Sequence, residues 1–233
     1  MANIFEENAY VKKIDTKIKM LNKQDKTIEL EENIFYAKGG GQPGDIGEII
    51  IDGAKKEVKD TIKIENSITN ILDDVQNLEI GKIVLAKIDW IRRYKHMRMH
   101  SALHLMCASI PLDVTGGQIG YEKSRLDFND PEKKINKEEL EEKINSLMKE
   151  NHYISYEFIE SEILEKQPDL VRTMSVKPPR INGKLRFVKI GNIDFQPCGG
   201  THVASTIEIG EIKIGKIESK GRMNRRVSIL LND

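Results

Sequence analysis

Between residues 10 and 90, apolar and polar residues alternate in short runs. Residues 10–14, 27–30, 47–52, 58–64 and 82–90 each show period-two patterning or β-branched enrichment and end at Gly, Asp or Asn turn residues, which predicts strands. A set of short strands like this one fits a small antiparallel β-barrel. At Ile91 the spacing turns helical, continues through Met97, Leu103, Leu105 and Ile110, and stops at Pro111. The domain boundary is placed near Trp90, giving units 1–90 and 91–233.

The second half mixes both periods. Residues 119–128, 153–159 and 185–193 read as extended, and residues 136–150 read as an amphipathic helix with Leu140, Ile144 and Leu147 on one face. Residues 207–231 read as a hairpin whose exposed loop is Ser219-Lys-Gly-Arg-Met-Asn-Arg-Arg226. The expected class is α+β.

Composition narrows the functional classes. With 39% hydrophobic residues in 233, the chain can bury a core, and its longest apolar runs fall far short of the roughly 18 residues that span a bilayer. The N-terminus lacks a basic segment followed by an apolar one, so cytoplasm is the expected compartment. Lys plus Arg and Asp plus Glu are 37 each, so whole-chain charge does not drive nucleic-acid binding and any such contact must be local. Two local clusters exist: Arg92, Arg93, Lys95 and Arg98, and Lys216, Lys220, Arg222, Arg225 and Arg226. No heptad seam is present, and a monomer is expected.

Four of the five histidines and one of the two cysteines fall in two tight clusters. His96, His100 and His104 recur every four residues on the predicted helix and therefore share a face. Cys198-Gly-Gly-Thr-His202 follows about a hundred residues later. A helical histidine pair alone is more often a solvated face. Joined to a Cys-x-x-x-His loop, it becomes a tetrahedral zinc set of His100, His104, Cys198 and His202. His96 could replace a ligand, support one, or be solvated, and the last is expected. Cys107 is expected in the core and His152 at the surface.

Tyr94-Lys-His-Met-Arg-Met-His-Ser-Ala-Leu-His104 together with Phe195-Gln-Pro-Cys-Gly-Gly-Thr-His202 resembles the editing domain of alanyl-tRNA synthetase. The nearest likeness is to the free-standing alanyl-tRNA editing family. Phe35-Tyr-Ala-Lys-Gly-Gly-Gly-Gln-Pro-Gly-Asp45 resembles the glycine-rich motif of that family's medium-length form, so nearly the whole chain is covered. The resemblance implies a β-barrel followed by the editing domain shared by threonyl- and alanyl-tRNA synthetases. It implies one zinc ion per chain and ATP-independent hydrolysis, in trans, of serine, and often glycine, from alanine tRNA.

Thr115-Gly-Gly-Gln-Ile-Gly120 resembles a pocket-lining Gln-x-Gly segment, which makes Gln118 and Thr115 candidates for bonding the serine hydroxyl or the terminal ribose. Tyr121 stands where the synthetase motif carries serine. The plain alternative for both candidates is a strand and its turn. Gly40, Gly41, Gln42 and Asp45 are expected, by likeness, to restrict the pocket, and the plain alternative is a hairpin turn. Arg98, Lys220, Arg222, Arg225 and Arg226 are the candidate tRNA contacts. Four protein ligands would close the zinc shell, as in a structural site, unless Cys198 yields to substrate. The competing functions are a tRNA-binding module with structural zinc and a hydrolase of small esters.

Overall fold

The computed structural model describes residues 3–160, residues 180–181 by their backbone, and residues 184–233. The chain divides into two compact units, Met1–Tyr94 and Lys95–Asp233. In the first, a short helix α1 (Ile4–Glu7) precedes six strands: β1 (Lys13–Asn22), β2 (Thr27–Leu30), β3 (Gly47–Ile51), β4 (Ala54–Ile64), β5 (Ser67–Leu72) and β6 (Ile83–Ile88). They close into an antiparallel barrel in the order β1-β2-β5-β4-β3-β6. Alternate residues point inward, so Ile18, Ile28, Ile49, Val58, Leu72, Val84 and Ala86 form one apolar core.

Two features of the barrel differ from the sequence expectation. The first strand runs from Lys13 to Asn22 rather than over residues 10–14, because it pairs with β6 through Lys17 and with β2 from Ile18 onward. Strand β5 escaped the pattern reading because Asn70, on the face of the core residue Leu72, and Thr69, on the opposite face, are both polar and both buried.

Helix α2 (Trp90–Ser109) begins in the first unit and continues in the second. It is followed by β7 (Val114–Gln118), β8 (Ser124–Asn129), α3 (Lys137–Lys149), β9 (Ile154–Glu160), β10 (Arg180–Ile181), β11 (Lys184–Ile190) and β12 (Asp194–Pro197). A 3-10 turn (Thr206–Ile209), β13 (Ile212–Ile214), β14 (Glu218–Lys220) and β15 (Asn224–Leu231) complete the unit. One antiparallel sheet runs β13-β15-β8-β7 with β14 also on β15, and another joins β9, β11 and β12 with β10 on β11. The class is α+β. No helix among the described residues is long and apolar enough to cross a membrane.

Three details of this unit correct the pattern reading. The extended run 119–128 is broken where the Gly120 N–H donates to Ser124 Oγ at 3.1 Å, starting β8 afresh. Helix α3 turns Leu140, Ile144 and Met148 inward rather than Leu147. The exposed loop 219–226 shrinks to residues 221–223, because Ser219 and Lys220 pair with Arg225 and Asn224.

The glycine motif of the first unit is a hairpin turn. Gly40 and Gly41 both take positive φ, +55° and +82°, as a two-residue turn of the primed type requires, and Gly39 and Gln42 exchange backbone hydrogen bonds of 3.1 and 2.8 Å across it. Below the turn, Asp45 is buried and accepts from Arg93 Nε and from the Tyr36 N–H at 2.8 and 2.7 Å. Arg93 is fully buried as well, and its remaining nitrogens donate to the carbonyls of Ala9 and Ile34 at 2.9 and 2.7 Å. Removing one partner of such a pair strands a buried charge, whereas removing both does not. Asp45→Ala is expected to destabilise the first unit by about 3–5 kcal/mol, with part of the loss recovered by adding Arg93→Met, measured by urea unfolding.

Candidate metal centre

Spacing by four lines up His96, His100 and His104 along α2. All three are buried. His96 is not solvated as the sequence suggested: it is fully enclosed, its ring edge-on to Tyr121 with 6.4 Å between centroids. The cause is the surroundings of α2, where Met97, Met99, Ala102, Leu103, Leu105, Met106 and Cys107 are all buried, so this stretch has no wet face.

After β12 the chain turns through Gly199 and Gly200, which put no side chain into the turn, and the Gly200 N–H points at Cys198 Sγ at 3.4 Å. Cys198 Sγ then lies 3.4 Å from His100 Nε2 and 3.3 Å from His202 Nε2. The ligand atoms of His100, His104, Cys198 and His202 all fall within 4.8 Å of one another. A tetrahedron with zinc bond lengths has edges of roughly 3.3–3.6 Å, so the contacts to sulfur are already at coordination distance.

The outer nitrogens are fixed by other groups. Asp194 Oδ2 lies 2.8 Å from His104 Nδ1, and it also accepts from Gln196 Nε2 at 2.8 Å. Ser101 Oγ accepts from the Val203 N–H and lies 3.2 Å from His202 Nδ1. A histidine whose Nδ1–H is given to a carboxylate or hydroxyl presents its Nε2 lone pair inward, which is the state a metal needs. Three imidazoles and a thiolate therefore fit a tetrahedral transition-metal ion on this chain's own geometry.

Electrostatics support that reading. Burial pushes the Cys198 thiol up, but the imidazoles of His100 and His202 outweigh it and hold the thiol well below its usual value. Burial pushes the His104 imidazole down, and the Asp194 carboxylate and the Cys198 sulfur overcome that and raise it to about 10. His202 is driven well below its ordinary value, first by burial and then by the neighbouring His100.

The other candidate residues are placed more variously. Thr115 and Gln118 sit on β7; Thr115 Oγ1 lies 3.2 Å from the Asp127 carbonyl and 3.3 Å from Asn224 Oδ1, and the exposed Gln118 accepts from Arg125 Nε at 3.4 Å. Arg226 is tied to Asp127 by two hydrogen bonds of 2.8 and 2.9 Å. Arg225 does not stand in an exposed loop: it is buried within β15, because alternate residues of that strand face the core. Lys220 pairs with Glu218 at 3.0 Å, and Arg222 is exposed at the hairpin tip. Arg98 donates to the Ile209 carbonyl and to Asp233. In the first unit Gly40 and Gly41 are exposed, whereas Gln42 and Asp45 are buried, and the Asp45 carboxylate is committed to Arg93 and Tyr36. Arg93 thereby leaves the expected basic cluster. His152 is half-buried against Glu150 at 2.7 Å, and Cys107 is in the core.

Sequence reasoning missed Asp194, Gln196 and Ser101. The available signal was the alternation Asp194-Phe-Gln196-Pro, which puts two polar side chains on the inward face of β12, beside a ligand loop.

Comparison with known proteins agrees with this architecture. Residues 185–228 match the family described as the threonyl and alanyl tRNA synthetase second additional domain, and residues 4–92 match the class II (A) tRNA synthetases. The second unit thus carries the second additional domain of the threonyl and alanyl tRNA synthetases. The chain is 35% identical to the alanyl-tRNA editing protein AlaX-M of Methanosarcina acetivorans, with 90% of each chain covered. It is 32% identical to the AlaX-M protein of Saccharolobus solfataricus, with 96% of each covered. It is also 36% identical to the alanine–tRNA ligase of Methanobrevibacter smithii, matching over 82% of this chain but 22% of the ligase. The chain belongs to the AlaX-M family of alanyl-tRNA editing proteins.

A metal can bind His104 only after its inner nitrogen loses a proton, whereas Cys198 is already held as thiolate. Near neutral pH, metal uptake is expected to release roughly one proton, and affinity is expected to rise about tenfold per pH unit until the His104 value of about 10 is reached. Titration calorimetry in buffers of different ionisation enthalpy counts the proton; release of two would show that the thiol is protonated.

Proposed function

We propose that this protein is a zinc-dependent deacylase that hydrolyses the ester joining serine, and secondarily glycine, to alanine tRNA charged elsewhere. The observation that carries the reading is the buried His100, His104, Cys198 and His202 cluster in a chain of the alanyl-tRNA editing family. Zinc suits three imidazoles and one thiolate, and when bound it supplies a fixed positive charge in a site with little solvent.

An aminoacyl ester is already activated, so the protein's task is to orient it and to stabilise charge developing on the carbonyl oxygen. We assign orientation to Thr115 and Gln118. The Thr115 hydroxyl has acceptors for its proton in the Asp127 carbonyl and Asn224, so its lone pairs are what it offers a substrate hydroxyl. The oxygen of Gln118 takes the hydrogen bond from Arg125, leaving its amide N–H groups to donate. A site that bonds a hydroxyl rejects the analogue lacking it far more strongly than a pocket that sorts by size, which is how Ala-tRNA is spared. Tyr121 stands where the synthetase motif carries serine, so hydroxyl recognition is assigned to Thr115 and Gln118 in its place.

The exposed Arg222 and its neighbour Lys220 at the tip of the β14–β15 hairpin, with Arg226 next along β15, are assigned to the phosphates of the acceptor stem, and Arg98, which bonds Asp233 beyond the other end of that strand, to a separate tRNA contact. Gly40 and Gly41, which present bare backbone at an exposed turn, are assigned to the acceptor end. The protein works as a soluble cytoplasmic monomer in this reading.

The closed set of four ligands gives one alternative its support: a tRNA-binding module in which zinc is purely structural. Zinc-loaded protein is expected to deacylate Ser-tRNA(Ala) and to spare Ala-tRNA(Ala), with at least a hundredfold loss in His104→Ala, read as release of labelled amino acid; a folded, zinc-loaded protein that binds this tRNA and leaves the serine ester intact would establish the alternative. Charge reversal at Lys220 and Arg222 together is expected to weaken tRNA binding and to lower the slope of log affinity against log salt by about two. An unchanged slope in a filter-binding titration moves the acceptor stem away from this hairpin.

A further inference from the structure

Arg186 lies on β11 with none of its surface open to solvent. Neither ester chemistry nor a surface contact with nucleic acid uses a guanidinium in that position, and a buried charge is retained only where hydrogen bonds compensate its lost hydration. Those bonds converge on one place. Arg186 Nη1 donates to the carbonyl of Cys198 at 2.7 Å and to that of Gly200 at 2.9 Å. The Arg186 carbonyl accepts from the Cys198 N–H at 3.0 Å. The guanidinium stacks over the Tyr156 ring, 3.8 Å from its centroid, and the Tyr156 hydroxyl donates to the His202 carbonyl at 3.4 Å.

The geometry has a specific consequence for the sulfur. The Cys198 carbonyl belongs to the peptide before Gly199, and the Gly200 carbonyl to the peptide after Gly200. Arg186 therefore pins the two peptides that flank the one whose N–H points at Cys198 Sγ. With both neighbours held, that middle peptide keeps its N–H aimed at the thiolate, and the Cys198 side chain cannot swing without breaking charge-assisted hydrogen bonds in a dry interior.

We propose that Arg186 is a positioning residue for the metal centre, fixing the Cys198–Gly200 turn so that Cys198 is a permanent ligand rather than one displaced when substrate arrives. The inference rests on reading the four-residue cluster as a metal site. It assigns the substrate a place beside the filled coordination shell rather than within it.

Cobalt(II) separates the two readings, because its visible absorption reports tetrahedral coordination and its near-ultraviolet charge-transfer absorption reports bound sulfur. Metal-free full-length protein, wild type, Arg186→Met and Arg186→Lys, is titrated with cobalt, and folding is followed by circular dichroism. Wild type is expected to show both absorptions. Arg186→Met is expected to keep the visible absorption, lose most of the charge-transfer intensity per cobalt, and bind the metal about 10–100-fold more weakly, the usual effect of removing a group that supports a ligand. Arg186→Lys keeps the charge without the planar fork and is expected to lose at least half of the charge-transfer intensity. If Arg186→Met does not fold, Arg186→Lys decides on the same two readings. Charge-transfer intensity and affinity within twofold of wild type overturn the proposal; a wild type that takes up no cobalt overturns the metal reading beneath it, a distinct result.

Discussion

Three imidazoles and a thiolate crowded into the interior of one unit set the terms for everything around them. Lone pairs that face one another in a medium of low dielectric repel unless a cation or protons lie between them, and the outer edges of the same groups need partners of their own. The chain meets the second demand with Asp194 behind His104, Ser101 behind His202 and Arg186 behind the Cys198 turn. Those partners come from α2, β11 and β12, so the arrangement of these elements and the posture of the ligands are a single problem.

The fold and the clustering of the candidate metal-binding side chains were largely legible in the sequence, and for the same reason. The barrel announces itself through alternation, and the ligand pairs announce themselves through spacing: His100 and His104 share a helix face, and Cys198 and His202 flank two glycines. What escaped was whatever inverts the usual pattern. Strand β5 buries Asn70 on its core-facing side, β12 buries Asp194 and Gln196, and β11 buries Arg186. A polar residue on a buried face looks, in sequence, like a residue on the wet face of a differently registered strand, and only the partner across the gap tells them apart. The basic residues show the same ambiguity. Arg93 falls in one basic cluster of the sequence and Arg225 and Arg226 in the other, yet the first is enclosed with Asp45, the second faces the core, and the third is held by a carboxylate.

On the β7–β8–β15 sheet, charged side chains brace one another. Asp127 sits between Arg226 and Arg125, whose hydrogen bonds hold its carboxyl below the ordinary carboxylate range, and Arg125 in turn reaches Gln118. One anion shared by two guanidiniums leaves a net positive charge there while fixing both cations in orientation. This polar network and the buried His and Cys cluster are both parts of the second unit.

Arg93 has a counterpart effect in the first unit. Its guanidinium makes four hydrogen bonds, to Asp45, Ala9 and Ile34, and none of these partners can satisfy it alone. A barrel with any one of them detached would hold a charge that is neither hydrated nor bonded, so half-assembled forms are penalised. The unit should accordingly open as one block rather than fray strand by strand, with the backbone amides around residues 34–45 exchanging their hydrogens together with those of the central strands. A single side chain, chosen for its number of hydrogen-bonding arms, thereby sets the cooperativity of the β-barrel.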